Sequence, residues 1–328
     1  MRNLKLTLVP LGIVLLVAGC GGGGSSGDTA VPVGTVQITS STATDVAAKG
    51  MSSTSQVSSS GNAASAPVRS VAADKATGAA NAALALFELA RGGQLHSAGT
   101  KAIPDENLLC ATSGTAVMSY TDNNNDTFFD VGDVATITYT DCVNPGITLD
   151  GSMSVSVAEM TPANSPTHIR ITSTFTNYHS ISTAEDLLMN GNLAMTMDYT
   201  VVGNALTSIS YVISGTALNT LSSIDGTFGI TDYSFGISAN STQTSFGIGM
   251  MVNSSALTGT LYIYTPTPLT ANAACNNPYG FANGGSLRIN GGGGSYVLLT
   301  PDPDCVNVVI TGSDGTTPFT INTNWASL

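Results

Sequence analysis

A period of two in hydrophobicity runs through most of the chain and constrains its fold more than any other feature. Beyond Cys110, apolar residues alternate with Ser, Thr or Asn, as in Met153, Val155 and Val157. Such alternation is typical of strands that have one face on a core and the other in water. Turn-forming pairs such as Asp150-Gly151 recur between or within these segments. We therefore expect residues 94–328 to form a mostly β domain, a long antiparallel meander built as a curved sheet, half-barrel or sandwich.

The N-terminus has a pattern that is typical of a targeting signal. Arg2 and Lys5 precede the apolar run 6–16, and the small residues Val17-Ala18-Gly19 lead directly to Cys20. This arrangement resembles the lipobox of a bacterial lipoprotein signal peptide. The resemblance implies that residues 1–19 are removed, that Cys20 is acylated, and that the acyl chains hold the protein on a membrane. The apolar run is too short to span about 30 Å of hydrocarbon.

The residue after Cys20 gives information about location. Gly21 follows Cys20, where many lipoproteins retained in the inner membrane have Asp. The resemblance therefore implies the outer membrane of a Gram-negative bacterium, with the periplasmic or cell-surface side left open. An integral outer-membrane barrel is the membrane alternative. The 10 Tyr, 9 Phe and 1 Trp are too few and too scattered for its two aromatic girdles.

Two segments lie between the lipobox and the strands. Residues 21–70 hold 26 Gly, Ser or Thr and no aromatic residue, which predicts that residues 20–70 form a disordered tether. Such a tether would span on the order of 40 Å. The Ala-rich residues 71–93 then predict a single helix that ends at Gly92-Gly93 and packs on the sheet.

Cysteine spacing predicts two disulfides. Without the acylated Cys20, four cysteines remain in an oxidising compartment, and three pairings of them are possible. Strands at 112–121 and 133–142 would form a hairpin that brings Cys110 to Cys142. A turn at 290–294 would likewise bring Cys275 to Cys305. No C-x-x-C spacing supports a redox or zinc role.

One loop has the pattern of a cation site. Residues 122–133 resemble the calcium loop of EF-hands and of related D-x-D-x-D loops. The resemblance implies that oxygen ligands for Ca²⁺ come from six residues: Asp122, Asn124, Asp126, the Phe128 carbonyl, Asp130 and Asp133. Thr127 replaces the usual glycine, and Asp133 replaces the bidentate Glu. The alternative is an Asn/Asp-rich hairpin turn in which these side chains cap backbone N–H groups.

Charge and motifs limit the remaining classes of function. Only 9% of residues are charged and the net charge is −12, which argues against a partner such as nucleic acid. His96, His168 and His179 are isolated in sequence, and no catalytic motif accompanies them. We therefore expect no catalytic residues and no cofactor besides Ca²⁺.

The chain as a whole resembles uncharacterised β-rich proteobacterial lipoproteins. The resemblance rests on the lipobox, the Gly/Ser segment, the acidic loop between Cys110 and Cys142, and the C-terminal hairpins. The sequence thus predicts a lipid-anchored, non-catalytic structural or binding module with an unknown protein, glycan or lipid partner. The first alternative is a LolB-like carrier of hydrophobic ligands, in which methionines line a cavity: Met195, Met197, Met250 and Met251. The second is a hydrolase of envelope polymers, whose paired carboxylates could lie far apart in sequence.

Overall fold

The computed structural model describes residues 31–59, 103–126, 128–161, 168–182, 186–202, 205–222, 226–240, 242–255, 257, 259–272 and 282–328. This part of the chain is mostly β, with one α-helix and a short C-terminal 3₁₀ turn. None of its helices is long and apolar enough to cross a membrane. The elements are α1 Ala43–Ser59, β1 Ile103–Leu109, β2 Ser113–Thr121, β3 Val134–Asn144, β4 Ile147–Thr161, β5 His168–Ser182, β6 Asp186–Val202, β7 Ala205–Ser222, β8 Gly226–Asn240, β9 Gln243–Ser254, β10 Gly259–Asn272, β11 Gly284–Asn290, β12 Tyr296–Pro301, β13 Asn307–Ser313 and β14 Pro318–Asn324.

The strands of the described residues belong to one sheet of 14 strands in which spatial order equals sequence order. Every neighbouring pair is antiparallel, from β1 with β2 to β13 with β14. The predicted fold class, a long and mostly antiparallel meander, is confirmed. Within the described residues β1 and β14 are the two edges of the sheet.

The predicted alternation of faces is present along the strands. In β4, Met153, Val155 and Val157 are buried, whereas Ser154 and Ser156 between them lie on the opposite face and are only partly buried. The buried side chains of β2 to β13 join a single apolar cluster on one face of the sheet. Consequently the sheet has a core face and a hydroxyl-rich outer face.

Bulges in the long strands bend this sheet. Asp141 of β3 and Asn177 of β5 have left-handed backbone conformations, with φ of 47° and 46°. Gly114 lies opposite Asp141, and a Cβ on it would lie 1.9 Å from the Asp141 carbonyl oxygen. A Cβ on Gly151 would likewise lie 2.0 Å from the Asn177 carbonyl oxygen. Because a bulge bends its strand and increases the local twist, bulges on neighbouring strands curve the sheet.

Part of the segment predicted to be a disordered tether is folded. Its residues 34–38, called here the strap, lie across the C-terminal strands, and α1 follows them. Ile38, Val46 and Ala47 are at most 1% exposed and belong to the core. The tether prediction over 20–70 is therefore wrong for residues 34–59. Average composition misses this helix because its stability comes from tertiary packing of a few small apolar side chains.

Helix α1 packs on the core face, between strands that are distant along the sheet. It contacts β8 as well as β12 and β13. A Cβ on Gly50 would lie 2.4 Å from Ile289 Cδ1 of β11, so the helix approaches this strand closely. The sheet therefore curls around α1. The helix predicted over 71–93 and the signal peptide 1–19 lie outside the described residues.

Antiparallel order places alternate connections at opposite ends of the sheet. The loop from β2 to β3, with residues 122–133, lies at one end, which we call the loop end. The turns β9–β10, β11–β12 and β13–β14 lie at the other end, where the strap also crosses. We call this the strap end.

Candidate functional site

The acidic loop, which comprises residues 122–133, is held in place by its two ends. Asp122 follows β2 and Asp133 precedes β3, and their exposed fractions are only 7% and 0%. Phe129 is buried against Tyr120, with ring centroids 6.5 Å apart in an edge-on arrangement. Neighbouring Phe128 is 70% exposed. Alternating burial thus fixes the base of the loop and leaves its tip in solvent.

Asp133 is a hydrogen-bonding centre of the loop. Its Oδ1 accepts the N–H of Asn123 at 2.8 Å, and its Oδ2 accepts the N–H of Asp130 at 3.0 Å. On the other flank, Asp122 Oδ1 accepts the N–H of Asn125 at 2.6 Å. These bonds satisfy backbone donors of a non-regular segment, which is the role expected of Asx caps.

Asn124 connects two further carboxylates. Its Nδ2 donates to Asp130 Oδ1 at 2.9 Å and to Asp126 Oδ2 at 3.1 Å. Its Oδ1 accepts the N–H of Asp126 at 3.0 Å, while Asp126 Oδ1 accepts the N–H of Phe128 at 2.8 Å. The amide group therefore draws together two side chains that would otherwise repel each other.

The electrostatic consequence is visible in two pKa values. Burial first, and then the charges of Asp126 and Asp133, raise the pKa of Asp130 from its ordinary value to about 6. Burial is also the main cause that raises the pKa of Asp133, although the N–H donors of Asp130 and Asn123 oppose it. Negative charge is crowded here, and either a proton or a cation would relieve the repulsion.

The fit of a metal to this loop is only partial. Among the residues that the structure describes, no three His, Cys, Asp or Glu side chains are arranged to hold a metal ion. Asp122 Oδ1 and both Asp133 oxygens accept backbone N–H groups instead. The predicted ligands Asp122, Asn124, Asp126, Asp130 and Asp133 are close together in one loop, and calcium binding by them stays a prediction.

A second charged cluster lies on the outer face across β4, β5 and β6. His168 Nδ1 is 2.7 Å from Asp198 Oδ1, and its Nε2 is 3.3 Å from Glu159 Oε2. Arg170 Nη1 lies 2.9 Å from Glu159 Oε1. His168 is isolated in sequence, so spacing alone did not identify its carboxylate partners. The cross-strand register that places His168 opposite Asp198 was the missing information.

Hydrogen bonds to carboxylates shift the titration of this cluster. The bond to Asp198 is the main cause that raises the pKa of His168. The pKa of Glu159 is lowered, first by its bond to Arg170 and then by its bond to His168. All four side chains are at least 31% exposed, so solvent screens the pairs. The cluster joins three strands without forming a buried site.

The predicted disulfide between Cys110 and Cys142 is present, with Cα atoms 5.3 Å apart. Close to it, Asn144 Oδ1 accepts the N–H of Ala111 at 2.9 Å. Cys305 is also disulfide-bonded. Its predicted partner Cys275 lies outside the described residues, as does the predicted lipidation site Cys20.

The methionines proposed to line a ligand cavity do not share one face. Met195, Met197 and Met250 are at most 3% exposed and belong to the apolar core. Met251 follows Met250 in β9 and is only partly buried, on the opposite face.

No protein-family model, curated protein or solved structure matches this chain.

Proposed function

We propose that this protein is a lipid-anchored lipoprotein of the bacterial outer membrane whose β domain is a non-catalytic structural or binding module. The packing of α1 on the sheet favours a structural or binding module over a carrier of hydrophobic ligands. Helix α1 covers the core face at β8 and at β11 to β13, with Val46 and Ala47 buried in the same apolar cluster as the strands. Partners would therefore bind at the outer face or at the loops.

The outer face has a defined chemistry. Cross-strand register aligns a row of polar side chains across five strands: Ser119, Thr136, Ser154, Thr174 and Asn192. In the next row, the hydroxyl groups of Ser156 and Thr172 are 2.6 Å apart. Neighbouring strands are about 4.8 Å apart, so such rows present closely spaced hydrogen-bonding groups without charge. This surface suits a polar, hydroxyl-rich partner in the cell envelope.

Calcium is proposed as a stabiliser of the domain and not as a catalytic ion. The crowded carboxylates of the acidic loop, with the pKa of Asp130 raised to about 6, support this proposal. Hard cations such as Ca²⁺ prefer carboxylate and carbonyl oxygens. Binding would require the carboxylates to exchange some backbone N–H groups for the ion. The hydrolase alternative is not favoured, because Asp122 and Asp133 already cap loop N–H groups.

Acylation and location can be tested together. We expect the wild-type protein to incorporate radiolabelled palmitate, to carry acyl chains on its N-terminal peptide by mass spectrometry, and to sediment with the outer membrane. Cys20→Ala should lose all three properties. The double variant Cys110→Ser plus Cys142→Ser is the matched control, because it removes two other cysteines and should keep the label. An unlabelled wild-type protein would overturn the proposal.

The calcium proposal has a separate test. Millimolar calcium should raise the melting temperature of the wild type by several degrees, because a ligand that binds only the folded state stabilises it. Asp122→Ala plus Asp126→Ala should abolish this response. Asp302→Ala plus Asp304→Ala, with the same change of charge in the β12–β13 loop, should retain it. An unchanged wild-type melting temperature would show that the loop is an ordinary capped turn.

A further inference from the structure

The strap determines where the anchored N-terminus joins the folded domain. The N–H of Thr35 donates to the Thr260 carbonyl at 2.8 Å, at the start of β10. The N–H of Gly292, in the β11–β12 turn, donates to the Val36 carbonyl at 2.7 Å. The Gln37 side chain donates to the Asp314 carbonyl of the β13–β14 turn. The strap thus binds three consecutive connections at one end of the sheet.

Close packing makes this attachment specific. A Cβ on Gly34 would lie 2.2 Å from the Thr260 carbonyl oxygen, a distance that real side chains do not tolerate. A Cβ on Gly291 would lie 2.2 Å from the Val36 carbonyl oxygen. Ser295 Oγ accepts the N–H of Ile38 at 3.0 Å. Glycine on both sides of the contact therefore permits direct backbone approach between the strap and the strap end.

The folded strap shortens the connection to the proposed lipid anchor. Only 14 peptide units separate Cys20 from Gly34, instead of the 50 residues expected from composition. A flexible chain of this length has a root-mean-square span of about 20 Å. Strands of 15 to 18 residues, such as β5 and β7, extend about 50 to 60 Å. The tether is therefore shorter than these long strands and similar to β11 to β14 next to the strap, which extend about 20 Å.

From these lengths we propose that the strap end of the sheet faces the lipid surface, with the turns β9–β10, β11–β12 and β13–β14 next to the headgroups. The loop end then projects away from the membrane, by about 30 Å at β2 and β3 and by about 50 Å at the long strands such as β5. This inference rests on the proposed acylation of Cys20 and adds an orientation to it.

Local charge agrees with this orientation. The three turns carry a single carboxylate, Asp314, which accepts the N–H groups of Thr316 and Thr317 at 2.8 and 2.7 Å. The connection β12–β13 at the loop end carries Asp302 and Asp304 instead. Anionic headgroups repel carboxylates within about one Debye length, roughly 8 Å at physiological ionic strength. The β9–β14 side of the strap end thus offers little repulsion at the headgroups.

Photocrosslinking to lipid tests the orientation. A benzophenone amino acid is placed at Thr316 in one sample and at Phe128, whose side chain is exposed at the loop end, in the other. The acylated protein is incorporated into vesicles of phosphatidylethanolamine with one fifth phosphatidylglycerol. We expect crosslinking to lipid to be at least five-fold stronger from position 316. Equal crosslinking, or stronger crosslinking from position 128, would overturn the proposal.

A longer tether provides the matched control. Insertion of 30 Gly/Ser residues after Gly27 should reduce the crosslinking from position 316 several-fold, because the domain can then move away from the surface. Crosslinking that does not change would show that the short tether does not set the orientation. Mass spectrometry of the N-terminal peptide separates this result from the proposed function. If acyl chains are missing, coupling a diacyl maleimide lipid to Cys20 restores the same attachment point, and the same comparison decides the orientation.

Discussion

His168 of β5 lies opposite Asp198 of β6, with Nδ1 2.7 Å from Oδ1, on the outer face of the sheet. Glu159 of β4 approaches the other ring nitrogen at 3.3 Å. One imidazole therefore bridges three consecutive strands, and it does so only when both nitrogens carry protons. The protonation state of His168 is coupled to the pairing of β4, β5 and β6.

This coupling predicts a pH dependence of stability. Because the pKa of His168 is raised, its contribution is complete below about pH 6.5 and is lost as the pH rises through the folded-state pKa. The lowered pKa of Glu159 has the opposite sign, so its contribution is lost when the pH falls below the ordinary value of 4.5. The cluster should therefore contribute most between about pH 4.5 and 6.5.

NMR titration checks the prediction directly. We expect the imidazole of His168 to titrate above 6.5 in the wild type and closer to 6.5 in Asp198→Asn, where the main cause of the shift is removed. His168→Gln should lower the melting temperature at pH 5.5 by less than about 2 °C, since exposed pairs are weak, and should have no effect at pH 8.5. An effect of equal size at both pH values would show that the side chain acts through packing alone.

The acidic loop predicts a pH dependence that calcium should remove. In calcium-free buffer the raised pKa of Asp130 means that the folded state binds the extra proton, so stability should fall as the pH rises from about 4 to 6. Asp130→Asn removes the crowded charge while keeping the shape of the side chain. We expect this variant to melt a few degrees above the wild type at pH 7.5 without calcium.

Calorimetry with and without calcium shows whether Asp130 binds the ion or only adds negative charge to the loop. Calcium should raise the melting temperature of the wild type at pH 7.5 and have little effect on Asp130→Asn, because an amide is a weaker ligand than a carboxylate. Asp302→Asn in the β12–β13 loop is the control for a general change in surface charge. A calcium response that is undiminished in Asp130→Asn would exclude this carboxylate as a ligand.

The disulfide between Cys110 and Cys142 should contribute strongly to stability. It closes a loop with a sequence separation of 32, for which the chain-entropy model gives about 3 to 4 kcal/mol. Cys110→Ser plus Cys142→Ser should therefore lower the free energy of unfolding by that amount, measured by urea denaturation. Peptide mapping without reduction should recover the pair 110–142 from the wild type. Recovery of Cys110 linked to Cys305 would contradict the structure.

Local patterns in the sequence were sufficient for the strands and for this disulfide. Alternation along each strand identifies the core face, and the hairpin spacing around residue 126 brings Cys110 to Cys142. The His168 cluster and the strap depend instead on pairing register and on contacts such as Thr35 with Thr260, 225 residues apart. Nothing in a single sequence encodes such contacts locally. The acidic loop is intermediate, because spacing groups its carboxylates but does not set the direction of their oxygens.

Burial of α1 allows a direct test that residues 34–59 are folded and do not form a flexible tether. Val46 is 1% exposed in the apolar core, so Val46→Asp would place a carboxylate there without a compensating partner. We expect a loss of more than about 3 kcal/mol in the free energy of unfolding, and rapid proteolysis between the strap and β1. Ser40→Asp adds the same charge six residues earlier, at an exposed position, and should change stability by less than about 0.5 kcal/mol. If residues 43–59 were a flexible tether, the two variants would behave alike, and the distance between lipid anchor and domain would return to that of a 50-residue chain.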